Sequence, residues 1–333
     1  MLKAVGRARV TDADVQAARE RISPHIVRTP LLRSNSLDAL FGGPTWFKCE
    51  NLQRGGAFKM RGALNAVLSL PQDARERGLV TFSSGNHGKA LSIAARIAGT
   101  EARILVPRDV SAAKLAGIER AGGRVAHYDR LTEDRQAMAF AIARDEGHAF
   151  IHPFDDSAII AGQATAALEV FEDLPATQIL YAPVGGGGLA SGLCVAARAA
   201  RLDCEVVGAE PEAGDDVGRS VDRGEIVTIP PVDSICDGAL TTAPGHACLP
   251  ILIDNSVRME TVADAAIPAL MLTLMEELKV MVEPTACLGV AAALADARAG
   301  RRPEGPVAII LSGGNITAAR FCEFVRHSKG LGA

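Results

Sequence analysis

The sequence predicts an α/β protein whose mostly parallel, twisted sheets are covered by helices. Three observations predict it. Apolar, β-branched runs recur as LVTF (79–82), ARILV (102–106), RVAHY (124–128), AFI (149–151), QILYA (178–182), EVVGA (205–209) and VAIIL (307–311). Segments of helical period lie between them, near 86–98, 111–121, 132–146, 157–172, 187–200, 263–278, 285–298 and 315–326. Strands that are apolar throughout and alternate with helices belong to parallel sheets buried on both faces. Third, the run YAPVGGGGLASGL sets four glycines between a strand and a helix, where α/β sheets bind ligands beyond their strand ends.

Two units are expected. Residues 78–154 hold several compact βα units and form a small, mobile domain. Residues 1–77 together with 155–333 form a large domain with its own sheet. No Pro/Ser-rich linker separates them, so both should pack around one cleft. A length of 333 residues with 48% hydrophobic content provides for such cores. The net charge of −4 leaves no basic footprint for nucleic acid. Seven cysteines, an odd number without a CxxC pair, fit free thiols in a reducing cytoplasm. The opening MLKAVGRARVTDADV lacks the apolar run of a signal peptide. No stretch of about 18 apolar residues is available to span a membrane.

The first candidate site is ENLQRGGAFKMRGALNAV (50–67), a glycine-broken loop that runs into an amphipathic helix. Lys59 sits at that junction between Phe58 and Met60, which can supply apolar walls. Taken by its position alone, it reads as an ordinary surface lysine. The second candidate is Gly185, Gly186, Gly187 and Gly188. Backbone N–H groups of such a loop, with a helix N-terminus behind them, make an anion site. A phosphate cradle accounts for four glycines better than a tight turn, which needs one or two. The loop has neither the GK[ST] of a nucleotide-binding P-loop nor the spacing of a dinucleotide fingerprint.

AFKMRGA, SSGNHGKALSIAA (83–95), GGGGLASG, VEPTACLGVAA (282–292) and LSGGNI (311–316), in this order, resemble the fold type II pyridoxal-phosphate enzymes. That fold is the tryptophan synthase β-like one, and the chain is most similar to its serine racemase and serine/threonine dehydratase branch. The resemblance runs from about Thr11 to about Phe324. It implies two α/β domains with pyridoxal 5'-phosphate between them, carried by Lys59 as a Schiff base. An amine with an ordinary value near 10.4 must be deprotonated to attack an aldehyde, so burial must lower it.

The resemblance also implies the other roles. Gly185 to Gly188 hold the cofactor phosphate, Asn86 bonds its 3-hydroxyl, Phe58 and Glu283 lie among its contacts, and Ser312 faces the pyridine nitrogen. Asn86 is open to a second use as a helix N-cap. A neutral hydroxyl at Ser312 limits delocalisation into the ring and favours loss of a β-substituent. Ser83, Ser84, Asn86 and His87 form the substrate loop, with Ser84 either a base opposite Lys59 or a carboxylate ligand only. Arg135, in YDRLTEDRQAMAF, aligns with an arginine that can meet a distal carboxylate; taken by itself it reads as a solvated arginine beside Asp134. In GAEPEAGDDVGRS, Glu210, Asp216 and the carbonyl of Gly214 match a site for Mg²⁺, Mn²⁺ or Ca²⁺; taken alone they are two acids near a helix start. Lys89 stands where racemases carry glutamine, which sets aside borrowed nucleotide regulation.

The expected activity is a cytoplasmic, homodimeric ammonia-lyase that acts on a small amino acid without nucleic-acid or membrane partners. It dehydrates and deaminates threo-3-hydroxyaspartate, serine or threonine to a 2-oxo acid. Serine racemisation and a dehydratase step in hydroxyectoine breakdown are the alternatives.

Overall fold

The computed structural model describes residues 10–331. The signal-peptide reading of the first nine residues therefore lies outside the described part. Among the described residues there are ten strands: β1 (Leu31–Leu32), β2 (Thr45–Lys48), β3 (Leu79–Phe82), β4 (Ala102–Pro107), β5 (Arg124–Tyr128), β6 (Ala149–Phe150), β7 (Ile179–Pro183), β8 (Glu205–Pro211), β9 (Arg258–Val262) and β10 (Val307–Ile310). They form a six-stranded sheet in the order β1-β2-β10-β7-β8-β9 and a four-stranded sheet in the order β5-β4-β3-β6. All pairs are parallel except β1 with β2.

Continuous apolar strands mean two buried faces, and the packing bears this out. In β10, Ala308 and Ile310 enter one core while Val307 and Ile309 enter the opposite one. In β7, Leu180 and Ala182 face the first and Ile179 and Tyr181 the second. The four-stranded sheet repeats the pattern: Ile104 and Val106 of β4 pack on one side, Leu105 on the other. Alternation of period two therefore fills both layers with apolar side chains.

Three strands were not expected. β9 reads RMETV, and its Arg258 and Glu260 are held in an ion pair at 2.6 Å, which masks the strand as polar sequence. β2 ends on Lys48, fully buried because its Nζ meets Glu169 Oε2 at 2.5 Å. β1 has only two residues.

One helix crossing positions the candidate lysine. Helix Lys59–Ser69 packs against helix Ser157–Asp173 where Gly62 meets Gly162. A Cβ at Gly62 would lie 2.3 Å from Gln163 Nε2, and one at Gly162 would lie 2.6 Å from the Arg61 carbonyl oxygen. Only glycine permits this approach. Arg61 then locks the crossing. Its guanidinium donates to Glu50 Oε1 and Oε2 and to Glu169 Oε1 and Oε2, each at 2.8 Å, and to Thr165 Oγ1 at 3.2 Å. All five donors are used, as burial of a guanidinium requires. Burial pushes the Glu50 carboxyl up, but Arg61, Thr29 and Lys48 more than offset it and hold it low.

The seven cysteines are free. Among the described residues, no helix is long and apolar enough to cross a membrane.

Candidate active site

Between the two sheets lies a cleft of about 850 Å³. Lys59 opens helix Lys59–Ser69 and its side chain lines this cleft. The Nζ donates to the Pro153 carbonyl at 2.8 Å and lies 5.1 Å from the centre of the Phe58 ring. Burial lowers the amine to about 8, with Cys248 opposing weakly. Phe58 is thus the apolar wall, whereas Met60 packs into the core of the four-stranded unit.

The glycine loop follows β7 and forms one wall. Gly187 has φ of +92° and precedes helix Gly188–Ala199, whose start carries no side-chain cap. A Cβ at Gly186 would stand 2.2 Å from the Phe154 ring, and one at Gly188 would stand 3.0 Å from Phe154 Cβ. Gly186 and Gly188 are needed because Phe154, itself part of the cleft lining, presses directly on the loop. An uncapped helix start with bare amides fits a phosphate.

The opposite wall is the β3 end and helix Asn86–Ile97. Gly85 is the N-cap, so Asn86 is the first helical residue and not the cap. Its side chain is instead fixed from two sides: Nδ2 donates to Glu283 Oε1 at 2.6 Å, and Oδ1 accepts from Asn315 Nδ2 at 2.8 Å. Asparagine has two amide hydrogens, so one remains for a ligand. Asn315 in turn accepts from Lys89 Nζ at 2.7 Å and donates to the Gly55 carbonyl at 2.8 Å. Burial raises Glu283 to about 7, helped by Asp237 and opposed by Asn86. Ser312, nearly fully buried, lines the cleft, and its carbonyl accepts from Phe58 N at 2.9 Å.

Ser83 and Ser84 line the cleft, and Ser83 Oγ accepts from Gly85 N at 3.3 Å. His87 is buried; its Nε2 meets the Ile151 carbonyl at 3.4 Å and its Nδ1 has no partner. Burial, with the charges of Lys59 and His152, drives its pKa well down, so the ring is neutral. Arg135 begins helix Arg135–Glu146 and reaches the cleft. It does not pair with Asp134, which caps that helix by accepting from Gln136 N and Ala137 N. Its guanidinium lies over Phe82 at 5.0 Å. Lys114 Nζ meets Asp237 Oδ2 at 2.5 Å, joining the two walls at the mouth.

Glu210 and Asp216 stand outside this lining. Glu210 accepts from Val217 N at 3.1 Å and Gly218 N at 2.8 Å. Both oxygens of Asp216 are buried without a partner. Burial raises Glu210 to about 8 and Asp216 to about 7; the Asp216 charge adds to the first shift and Asp215 to both. Among the described residues no group of three or more His, Cys, Asp or Glu side chains is placed to hold a metal.

Pro153, Phe154 and Asn315 were not singled out in sequence. The first acts through its carbonyl, which no side-chain pattern reports. The second stands in HPFDD, which matches no motif, and the third in LSGGNI, where Ser312 drew the reading.

A buried amine, a glycine loop at an uncapped helix start and a polar wall across one cleft fit a pyridoxal-phosphate-dependent enzyme of fold type II. The chain belongs to the pyridoxal-phosphate dependent enzyme family, matched over residues 22–313. It is 41% identical over 317 residues to the L-threo-3-hydroxyaspartate ammonia-lyase of Saccharomyces cerevisiae, spanning 95% of this chain and 96% of that protein. It is 41% identical over 312 residues to the serine racemase of Schizosaccharomyces pombe, spanning 94% and 96%. The solved structure of maize serine racemase matches with a TM-score of 0.89 at 35% identity, covering 94% of this chain and 96% of that one.

Proposed function

We propose that the chain is an ammonia-lyase that eliminates the β-hydroxyl of a small amino acid, with threo-3-hydroxyaspartate ahead of serine and threonine. The observation that carries this is the Lys59 amine, lowered to about 8 in a cleft between the glycine loop and the Ser83–Asn86 wall.

Pyridoxal phosphate, when bound, supplies the electron sink for the pair left on the α-carbon. The residues of this chain do the rest. Gly185 to Gly188 hold the phosphate by backbone amides. Asn86, clamped by Glu283 and Asn315, presents its remaining N–H. Ser312 offers a neutral hydroxyl to the ring nitrogen. Lys59 would remove the α-proton of the bound substrate, for which a value near working pH is suited. The β-hydroxyl departs as water, and water then hydrolyses the released enamine to a 2-oxo acid and ammonia. Ser83 and Ser84 bind the α-carboxylate. Arg135 pairs with a distal carboxylate, a match for a planar donor fork. The unit of residues 78–154 carries both groups and closes them over the substrate.

Serine racemisation is the second reading. Ser84 lining the cleft supports it, as does the equal identity to a protein named serine racemase. Glu210, Asp216 and the Gly214 carbonyl are proposed to hold Mg²⁺, Mn²⁺ or Ca²⁺; the orphaned Asp216 oxygens support this. A homodimer in the cytoplasm completes the proposal, resting on the resemblance and on the free thiols.

The test is release of 2-oxo acid and ammonia from threo-3-hydroxyaspartate, serine and threonine by cofactor-loaded protein. Release from at least one is expected. No release from any of the three would overturn the reading.

A further inference from the structure

His152 stands at the joint between the two sheets, directly before the cleft residues Pro153 and Phe154. It follows β6 and opens the turn that leads into helix Ser157–Asp173. Its Nδ1 accepts two backbone hydrogen bonds, from Asp155 N at 2.8 Å and Phe154 N at 3.2 Å. One lone pair thus pins a turn of three residues. A ring nitrogen that accepts carries no proton, so the hydrogen of the neutral ring is on Nε2.

Pro153 and Phe154 line the site, and Asp155 reaches it through Ala247 and Cys248. The Pro153 carbonyl receives the Lys59 amine at 2.8 Å. Phe154 packs beneath Gly186 and Gly188. Asp155 Oδ1 accepts from Ala247 N at 2.7 Å, beside Cys248, and Cys248 Cβ lies 3.1 Å from where a Gly187 side chain would stand. The ring of His152 is held by aromatic edges: Phe154 at 4.7 Å, Phe82 at 5.8 Å and Phe150 at 5.9 Å between centroids. Phe82 also carries Arg135.

We propose that His152 is a positioning residue: its Nδ1 fixes the 153–155 turn, and the turn fixes the Lys59 amine against the glycine loop. The aromatic contacts orient the ring, and the two accepted hydrogen bonds do the positioning. Burial lowers the imidazole to about 4, opposed by Asp155 and assisted by Lys59 and Arg135. The accepting lone pair is therefore present throughout the neutral range. The inference rests on Lys59 being the amine that captures the cofactor.

Two kinds of substitution separate the acceptor from the ring. His152→Asn places an amide oxygen near the Nδ1 position and removes the aromatic edges. His152→Phe keeps an aromatic ring and removes the acceptor. The readout is the rate at which cofactor-free protein captures pyridoxal phosphate, followed by absorbance well below the melting temperature. His152→Phe is expected to slow capture about 10- to 100-fold, the size of one or two lost hydrogen bonds. His152→Asn is expected to stay within about threefold of wild type by the same measure, less than half a decade. Should His152→Phe fail to fold, His152→Gln serves, since its oxygen falls near Nε2 and leaves the turn unpinned; it should slow capture as well. Wild-type capture by the variant lacking the acceptor, or an equal loss in His152→Asn, overturns the proposal. Lys59→Ala is the control for the underlying reading: if it captures the cofactor like wild type, Lys59 is not the amine, whatever the His152 variants do.

Discussion

The Lys59 amine donates to the Pro153 carbonyl at 2.8 Å, across a sequence separation of 94 residues. The first residue belongs to the helix that Arg61 locks in place, the second to the turn at the joint of the two sheets. An acceptor without charge does little to keep an ammonium charged, so burial dominates and lowers the amine to about 8. Only the neutral amine attacks an aldehyde. Capture of pyridoxal phosphate by cofactor-free protein should therefore rise with pH by about tenfold per unit below 8 and level off above it. A capture rate that keeps climbing to pH 10 would show an unperturbed lysine.

The carboxyl pair makes a prediction with the opposite sign. Glu210 and Asp216 are raised to about 8 and about 7, above their unfolded values near 4. Their contribution to stability is complete below the unfolded values and is lost as pH rises through about 7 to 8. Protein treated with EDTA should melt at progressively lower temperature from pH 5 to pH 8. Added Mg²⁺ or Mn²⁺ should restore the melting temperature, most at the alkaline end. Asp216→Asn should abolish the response to added cation. A melting temperature indifferent to chelator and pH alike would remove the ion.

Ser84 lines the cleft on the wall made by the substrate loop. If it is the base opposite Lys59, Ser84→Ala suppresses D/L interconversion of serine and elimination from D-serine. Elimination from an L-substrate depends on Lys59 and should fall much less. Equal losses on both enantiomers would reduce Ser84 to a carboxylate ligand.

Arg135 reaches the cleft and rests on Phe82. A charge-assisted bidentate contact is worth about 1.5–3 kcal/mol, or about 10- to 150-fold in specificity. Arg135→Ala should therefore cut kcat/KM on threo-3-hydroxyaspartate by that factor and leave serine and threonine within about threefold, less than half a decade. A uniform change across the three substrates would return the specificity to the smaller amino acids.

Much of this architecture is readable because the strands are buried on both faces. LVTF became β3 without shift, since all four of its residues are buried, and RVAHY became β5 without shift although Arg124 and His127 stay exposed at the edge of the sheet. The glycine loop was legible because four glycines are too costly for a turn, and close packing by Phe154 accounts for two of them. Polar strands were not legible. Lys48 in β2 and Arg258 in β9 look solvent-facing until Glu169 and Asp296, more than 30 residues away, are brought beside them. Asn86 invited a capping reading from local spacing, and the tertiary partners Glu283 and Asn315 claim it instead. The Pro153 carbonyl and His152 Nδ1 act through the backbone, so composition and periodicity carry no trace of them.

The account turns on Lys59, and its most direct measurement is covalent. Cofactor-loaded protein is reduced with borohydride, digested and mapped by mass spectrometry. The predicted result is the added mass of the reduced cofactor on the peptide that carries Lys59, with 2-oxo acid release abolished in the same sample. Finding that mass on another lysine, or full activity after Lys59→Ala, would contradict it.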